Sequence, residues 1–203
     1  MGGVFHRATE TLFVTDTHFG KDVTFRKHSI PVPSGSTLTT ISKIKSLLRR
    51  TSAQQLVILG DMFHAPSSLS KEITDTIDEF TTHDCPHLTI SLVPGNHDQN
   101  LPNFPRHWKI RQLESTTTWG GLVLSHFPVK SNEKLGPVLC GHIHPAVHVG
   151  SHTDRLKLPC FLHRKNHLVL PAIGDFTGTK VIHRRSGDRI WLLADQQVIP
   201  WRN

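Results

Sequence analysis

Residues 11–18 read Thr-Leu-Phe-Val-Thr-Asp-Thr-His, a short apolar run that ends on a carboxylate and an imidazole two positions apart. So short a run bounded by polar residues reads as a buried strand, since a helix needs ten or more residues. Residues two apart in an extended segment point to the same side, so Asp16 and His18 can present two ligand atoms together. The same design recurs four times. Residues 56–59 end in Gly60-Asp61, and Leu92-Val93 leads through Pro94-Gly95 into Asn96-His97-Asp98. Residues 122–125 end in His126, and residues 138–140 end in Gly141-His142-Ile143-His144. In open α/β sheets ligands bind beyond the carboxyl ends of the strands, so these groups are expected to converge on one site. Gly60, Gly95 and Gly141 each precede a candidate ligand, where a missing Cβ permits close approach to an ion or phosphate.

Working outward, residues 37–50 carry Leu38, Ile41, Ile44 and Leu48 at helical spacing. Residues 68–80 place Leu69, Ile73, Ile77 and Phe80 on one face, with Glu72, Asp75 and Glu79 away from it. These two stretches are predicted helices between strands at 11–15, 55–59 and 87–93. After Pro105 the predicted elements are strands, at 121–124, 137–140, 156–162, 167–170 and 189–193. The stretch 30–36, rich in Pro and Ser, reads as a loop. An alternating first half followed by a strand-rich second half implies an α/β fold with two packed sheets flanked by helices.

Length and composition bound the alternatives. The 203 residues fit one domain, 1–203, with a core sizeable enough to need no disulfides. Cys85, Cys140 and Cys160 are odd in number and lack any Cys-x-x-Cys pairing, so buried free thiols are expected. No apolar run reaches the ~18 residues of a membrane span. The first ten residues lack the apolar core of a secretion signal, which points to a cytoplasmic protein. The formal charge of +7 is uneven: residues 1–101 hold 9 Lys/Arg against 10 Asp/Glu, and residues 102–203 hold 14 against 6. A polyanionic partner accounts for that excess, and so does a solubilising surface.

Two Asp, one Asn and four His are too many ligands for one ion with an open position, but they suit two ions that share a carboxylate. Without thiolates, this mixed O/N set favours manganese, iron or zinc. Two such cations can hold a phosphate, lower the pKa of a water and stabilise the attacking and leaving oxygens. Each motif alone is more often a turn or a cap. All five in this order, each after an apolar run, point to a two-metal phosphoesterase.

These residues resemble the five-part motif of the calcineurin-like metallophosphoesterase superfamily. That resemblance implies a four-layer α/β/β/α sandwich of two mixed sheets. It implies Asp16, His18 and His144 on one metal, Asn96, His126 and His142 on the other, and Asp61 as the bridge. His97 matches the superfamily's non-ligand histidine, placed to donate a proton to the leaving oxygen or to stabilise the transition-state charge, and Asp98 is expected to orient it. A narrower resemblance rests on Asp16-Thr-His-Phe-Gly-Lys21, Phe25-Arg26, Ile30-Pro-Val-Pro33, Gly141-His-Ile-His-Pro-Ala-Val147, Leu158-Pro-Cys-Phe161, Leu170-Pro-Ala-Ile-Gly174 and Phe176-Thr-Gly178. These are similar to the ligase-associated DNA damage response endonuclease family, with departures at Leu162, Ile173 and Thr179. This implies a Mn²⁺-dependent endonuclease or phosphodiesterase of DNA repair. Its substrate would be single-stranded DNA, and it would work alongside an ATP-dependent DNA ligase, a helicase and an exonuclease.

Lys21 and Arg26 lie in an expected loop after the first motif and are candidates to contact a substrate phosphate. His64, three residues after Asp61, is a candidate at the site mouth. The four tryptophans suit core or rim packing. The other histidines, His152 among them, are expected to be structural or exposed. Two alternatives stand beside the nuclease: a small-molecule phosphodiesterase or phosphomonoesterase, and a scaffold that keeps the fold without the chemistry.

Overall fold

The computed structural model describes residues 2–130, 136–151 and 154–202; His152 lies outside them. The first sheet contains β1 (Val4–His6), β2 (Thr11–Val14), β3 (Gln55–Leu59), β4 (Thr89–Val93) and β5 (Ile110–Gln112) in that spatial order. β1 runs antiparallel to β2, and the remaining pairings are parallel. Three α-helices lie along this half: α1 (Lys21–Lys27), α2 (Ser36–Thr51) and α3 (Lys71–Asp78). α3 continues as a π-helical turn at Glu79–Asp84.

The second sheet is built from β6 (Thr116–Trp119), β7 (Leu122–Ser125), β8 (Val138–Cys140), β9 (Pro145–Gly150), β10 (Arg155–Arg164), β11 (His167–Val169), β12 (Lys180–Val181), β13 (Arg189–Ala194) and β14 (Gln197–Pro200). Its main path runs β12-β9-β10-β11-β8-β7-β6, with β13 on β10 and β14 on β13. It mixes parallel β7-β8-β11 pairings with antiparallel hairpins.

Strand alternation sorts the apolar residues into layers. From the first sheet, Leu12, Val14, Leu56, Ile58, Ile90 and Leu92 meet Ile41, Ile44, Leu48, Ile73 and Ile77 of the helices. Their neighbours Phe13, Val57, Leu59 and Val93 face inward onto Leu124, Leu139, Phe161 and Leu170 of the second sheet. On the far face of the second sheet lie Val123, Val138, Cys140, Val169, Ile190 and Leu192, covered by Val129, Ile143, Ile182 and Trp201. The two mixed sheets and their inter-sheet core are those the sequence implied. The outermost layer over the second sheet is made of loops, since among the described residues no α-helix follows α3.

Some local expectations are corrected. Leu38 is 62% exposed, and Leu47 completes the apolar face of α2 instead. The segment after the first motif folds as α1 rather than as a loop, with Arg26 donating to Asp22 one turn earlier at 3.0 Å. Cys140 and Cys160 are buried, Cys85 is half-buried, and all three are unpaired by disulfides. No helix among the described residues is long and apolar enough to cross a membrane.

Candidate metal centre

All five motifs leave their strands at the same edge. Asp16-Thr17-His18 follows β2, Gly60-Asp61 follows β3 and Asn96-His97-Asp98 follows β4, three adjacent parallel strands. His126 follows β7, and His142 and His144 follow its parallel neighbour β8. Backbone bonds lock the exits together: Asp16 N–H donates to Gly60 O at 3.1 Å, His18 N–H to Asp61 O at 3.0 Å and Gly141 N–H to His126 O at 3.0 Å. The third strip of backbone comes from residues 173–174, where Gly174 N–H donates to Asp16 O at 3.1 Å.

The close approach depends on absent side chains. A Cβ on Gly141 would sit 1.8 Å from Thr15 Oγ1, and one on Gly60 would sit 2.2 Å from His126 Nδ1, both impossible distances. Asp16, His18, Asp61, His142 and His144 take left-handed φ values of 55°, 44°, 51°, 65° and 49°. Such conformations are uncommon outside glycine and gather at functional sites, where surrounding structure holds the strain. Five of the seven candidate ligands are held this way.

Among the described residues three groups of side-chain atoms could hold an ion, Asp16/His18/His144, Asp61/His126/His142 and His18/His64/His97, each with ligand atoms within 4.8 Å of one another. Their hydrogen bonds reveal which atoms are left over. Asp61 Oδ1 accepts from His97 N–H at 2.9 Å. Its Oδ2 then faces three imidazole nitrogens: His126 Nε2 at 3.4 Å, His97 Nε2 at 3.9 Å and His18 Nε2 at 4.0 Å. Asp16 Oδ2 accepts from Thr15 Oγ1 and His142 N–H, while Asp16 Oδ1 lies 3.0 Å from His144 Nε2. His126 Nδ1 donates to Leu59 O at 2.8 Å and His144 Nδ1 to Gly178 O at 2.9 Å. Because a carbonyl only accepts, these bonds put the hydrogen on Nδ1 and aim the Nε2 lone pair inward, as carbonyls do behind metal-bound histidines.

His126 Nε2 thus confronts His142 Nδ1 at 3.1 Å and Asn96 Oδ1 at 3.3 Å. So many inward-facing acceptors repel unless cations or protons lie among them. Asp16 Oδ1, His18 Nδ1 and His144 Nε2 are buried without hydrogen-bond partners. Burial presses His18 down to about 3, so its imidazole is neutral and can coordinate. Burial raises Asp61, but the neighbouring His126 and His18 and the backbone N–H of His97 prevail and hold it at about 2. This donor chemistry fits divalent cations, which these carboxylates and imidazoles would hold.

The remaining candidates separate into those at the centre and those beside it. His97 stacks on His64, with ring centroids 5.1 Å apart, and its Nδ1 donates to His64 O at 2.6 Å. Asp98 does not orient the His97 ring as the resemblance implied. Its carboxylate is spent on backbone N–H groups of Asp61 at 2.7 Å, Met62 at 3.0 Å and Gly95 at 2.9 Å, clamping the two ligand loops together. Lys21 is buried beside the site, and its charge helps to hold His18 and His64 down. Arg26 is turned away to Asp22 at 3.0 Å and Glu72 at 3.9 Å. Thr15 and the carbonyls of Leu59, His64 and Gly178 were missed, and only Thr15, standing beside Asp16, left a trace in the sequence.

The sequence model of the family described as Calcineurin-like phosphoesterase matches residues 10–162. Among solved structures, Pseudomonas putida nuclease MPE superposes with a TM-score of 0.83 and 29% identity, covering 98% of this chain and 92% of its own. YfcE, a phosphoesterase from E. coli, gives a TM-score of 0.42 and 16% identity, covering 93% of this chain and 96% of its own. No curated protein matches. With the family match spanning most of the residues and the ligand edge assembled, the chain belongs to the calcineurin-like phosphoesterase family and is a metal-dependent phosphoester hydrolase.

Proposed function

We propose that this enzyme cleaves phosphodiester bonds of single-stranded DNA with Mn²⁺ as its physiological ion. Asp16, His18 and His144 would hold one cation, Asn96, His126 and His142 the second, and Asp61 both. The carrying observation is Asp61 Oδ2, which faces His126 Nε2 at 3.4 Å, His97 Nε2 at 3.9 Å and His18 Nε2 at 4.0 Å where the two ligand groups meet. Two bound cations supply the positive charge that draws the phosphate in and acidifies a water for attack on phosphorus.

The chain's own residues do the rest. His97, tethered through Nδ1 to the His64 carbonyl, keeps Nε2 toward the centre. As water oxygen bonds to phosphorus and the ester bond breaks, the doubly protonated His97, its Nδ1–H on the His64 carbonyl, gives its Nε2 proton to the departing oxygen, and the proton released by the attacking water restores the ring. Asp98 holds the loops of Asp61 and Gly95 at fixed spacing. Lys21 adds fixed positive charge beside the phosphate, and His64 walls the mouth. Asp16 and His18 are buried, whereas Asn96 and His142 are exposed, so substrate enters over the second group. A nuclease superposing over nearly the whole chain and the basic second half support a polynucleotide substrate. We place the enzyme in cytoplasmic DNA repair as one catalytic unit, beside a ligase, a helicase and an exonuclease.

Purified protein incubated with Mn²⁺ and a labelled single-stranded oligonucleotide is expected to cut it. Hydrolysis of free nucleotides with the oligonucleotide left intact would assign the site to small phosphoesters.

A further inference from the structure

The Gly141–His144 turn has two sides. His142 and His144 project into the metal centre, while Ile143 between them packs with the far face of the second sheet. There it forms the floor of a hollow of about 580 Å³ with Val129 and Val169. The rim carries Lys130, Lys165 and Arg185, all exposed, and among the described residues no carboxylate lines it. Arg164 also borders this hollow, but its guanidinium is spent on Asp188, with Nε at 2.9 Å from Oδ1 and Nη2 at 2.6 Å from Oδ2. Lys165 occupies the β10–β11 turn with φ of 55°, fixed by the antiparallel pairing of Arg164 with His167.

Phe127 lies against the metal centre, and its chain neighbour Pro128 lines the hollow. The Phe127 ring is 4.5 Å from that of His142 and 4.8 Å from that of His126, and the residue is 39% exposed. An exposed aromatic ring beside a phosphodiester-cleaving centre offers a stacking face to a base, whatever its identity. Three cations around an uncharged floor, with Asp188 beside Arg185 already paired to Arg164 and no carboxylate among the described lining residues, match a run of phosphates.

We propose that the strand being cut continues over Phe127, one base stacked on its ring, into this hollow, where Lys130, Lys165 and Arg185 hold flanking phosphates. The inference rests on the reading of the substrate as single-stranded nucleic acid. It adds a non-catalytic track on the second sheet that only substrates several nucleotides long can use.

The experiment measures anisotropy of a fluorescein-labelled oligothymidylate with the full chain in EDTA, where binding through cations at the centre is removed. The combined Lys130→Gln, Lys165→Gln and Arg185→Gln variant is expected to bind at least about tenfold more weakly at low salt. Its log-affinity against log-salt slope should fall by about two to three. With Mn²⁺ the same variant should hydrolyse bis(p-nitrophenyl) phosphate at the wild-type rate. If the triple variant fails to fold, Lys165→Asn alone, suited to its left-handed backbone, is expected to lower the slope by about one. Phe127→Leu is expected to weaken binding further.

Unchanged affinity and slope in both lysine-bearing variants would overturn the track, as would wild-type protein that does not bind the oligonucleotide. Wild-type protein that binds through these cations but cuts only the small diester would leave the track standing and overturn the nuclease assignment instead.

Discussion

The first sheet is roofed by α2 and α3, whereas the second carries its outer apolar face under loops. Ile44, Ile77, Leu56 and Ile58 are wholly buried in the helix-covered layer, while the cover of the second sheet, Val129, Ile143, Ile182 and Trp201, is only partly buried. Charge follows the same division, with 9 Lys/Arg against 10 Asp/Glu up to residue 101 and 14 against 6 after it. A sheet packed by helices has its outward surface made by the helices' polar faces. A sheet packed by loops can place basic residues directly around an apolar floor. The first sheet therefore supplies most of the rigid ligand frame, and the second supplies His126, His142 and His144 together with the basic surface next to them.

Removing ligands from one sheet or the other gives the largest expected effects. Asp61 sits between both groups, so Asp61→Asn should lose most bound metal and activity together. His142→Ala removes a ligand of the exposed group alone and should lower metal content by about one ion per chain, leaving the Asp16/His18/His144 ion in place. His97→Ala should keep both ions yet lose roughly 10²–10⁴-fold in turnover. Metal analysis by mass spectrometry beside kcat on a chromogenic diester separates the three. Equal metal loss in Asp61→Asn and His97→Ala would show that His97 is itself a ligand.

A smaller effect tests the packing difference. Ile44→Ala or Ile77→Ala empties a fully buried position beneath the helices and should cost about 2–5 kcal/mol in urea unfolding. Ile182→Ala, under the loop cover, should cost about 1 kcal/mol, because its partly exposed side chain leaves a smaller void. Similar costs would mean that the loops seal the second sheet as tightly as the helices seal the first.

What was legible in the sequence follows the same line. Strand ends at Asp16, Asp61, Asn96, His126 and His142 could be read because each ligand follows directly on a short apolar run, a local signal. The faces of α2 and α3 were readable from periodicity, except that Leu38 belongs to the exposed side. The pairings that hold the site were not readable, because they join residues far apart in sequence. Asp98 bonds to backbone N–H groups 36 and 37 positions earlier, and His144 finds its acceptor 34 positions later at Gly178. α1 was hidden for a different reason. It has only seven residues, too few for periodicity, and owes its form to the Asp22–Arg26 contact and to packing against residues 66–68.

The finest distinction between the halves lies in their buried carboxylates, Asp22 under the first and Asp188 under the second. Burial opposes ionisation of Asp22, but donation from Ser36 Oγ at 2.7 Å, Arg26 at 3.0 Å and Gly35 N–H at 3.0 Å outweighs it and lowers its pKa. Asp188 is lowered first by the paired Arg164 guanidinium, against the opposing effect of burial. Both folded values lie below the ordinary 3.8. The stability these carboxylates contribute is therefore complete above about pH 5 and is lost as pH falls through about 4 and below. Asp22→Asn should remove about 1–3 kcal/mol at neutral pH, since its three donors all converge on one buried charge. Asp188→Asn should remove less, because its side-chain donors come from the single, 27% exposed Arg164, whereas Asp22 also accepts from the buried Ser36 hydroxyl. Each variant should flatten the acid limb of a stability-against-pH curve measured by urea unfolding. An acid limb as steep as wild type in Asp22→Asn would show that the junction of α1 and α2 does not depend on that charge.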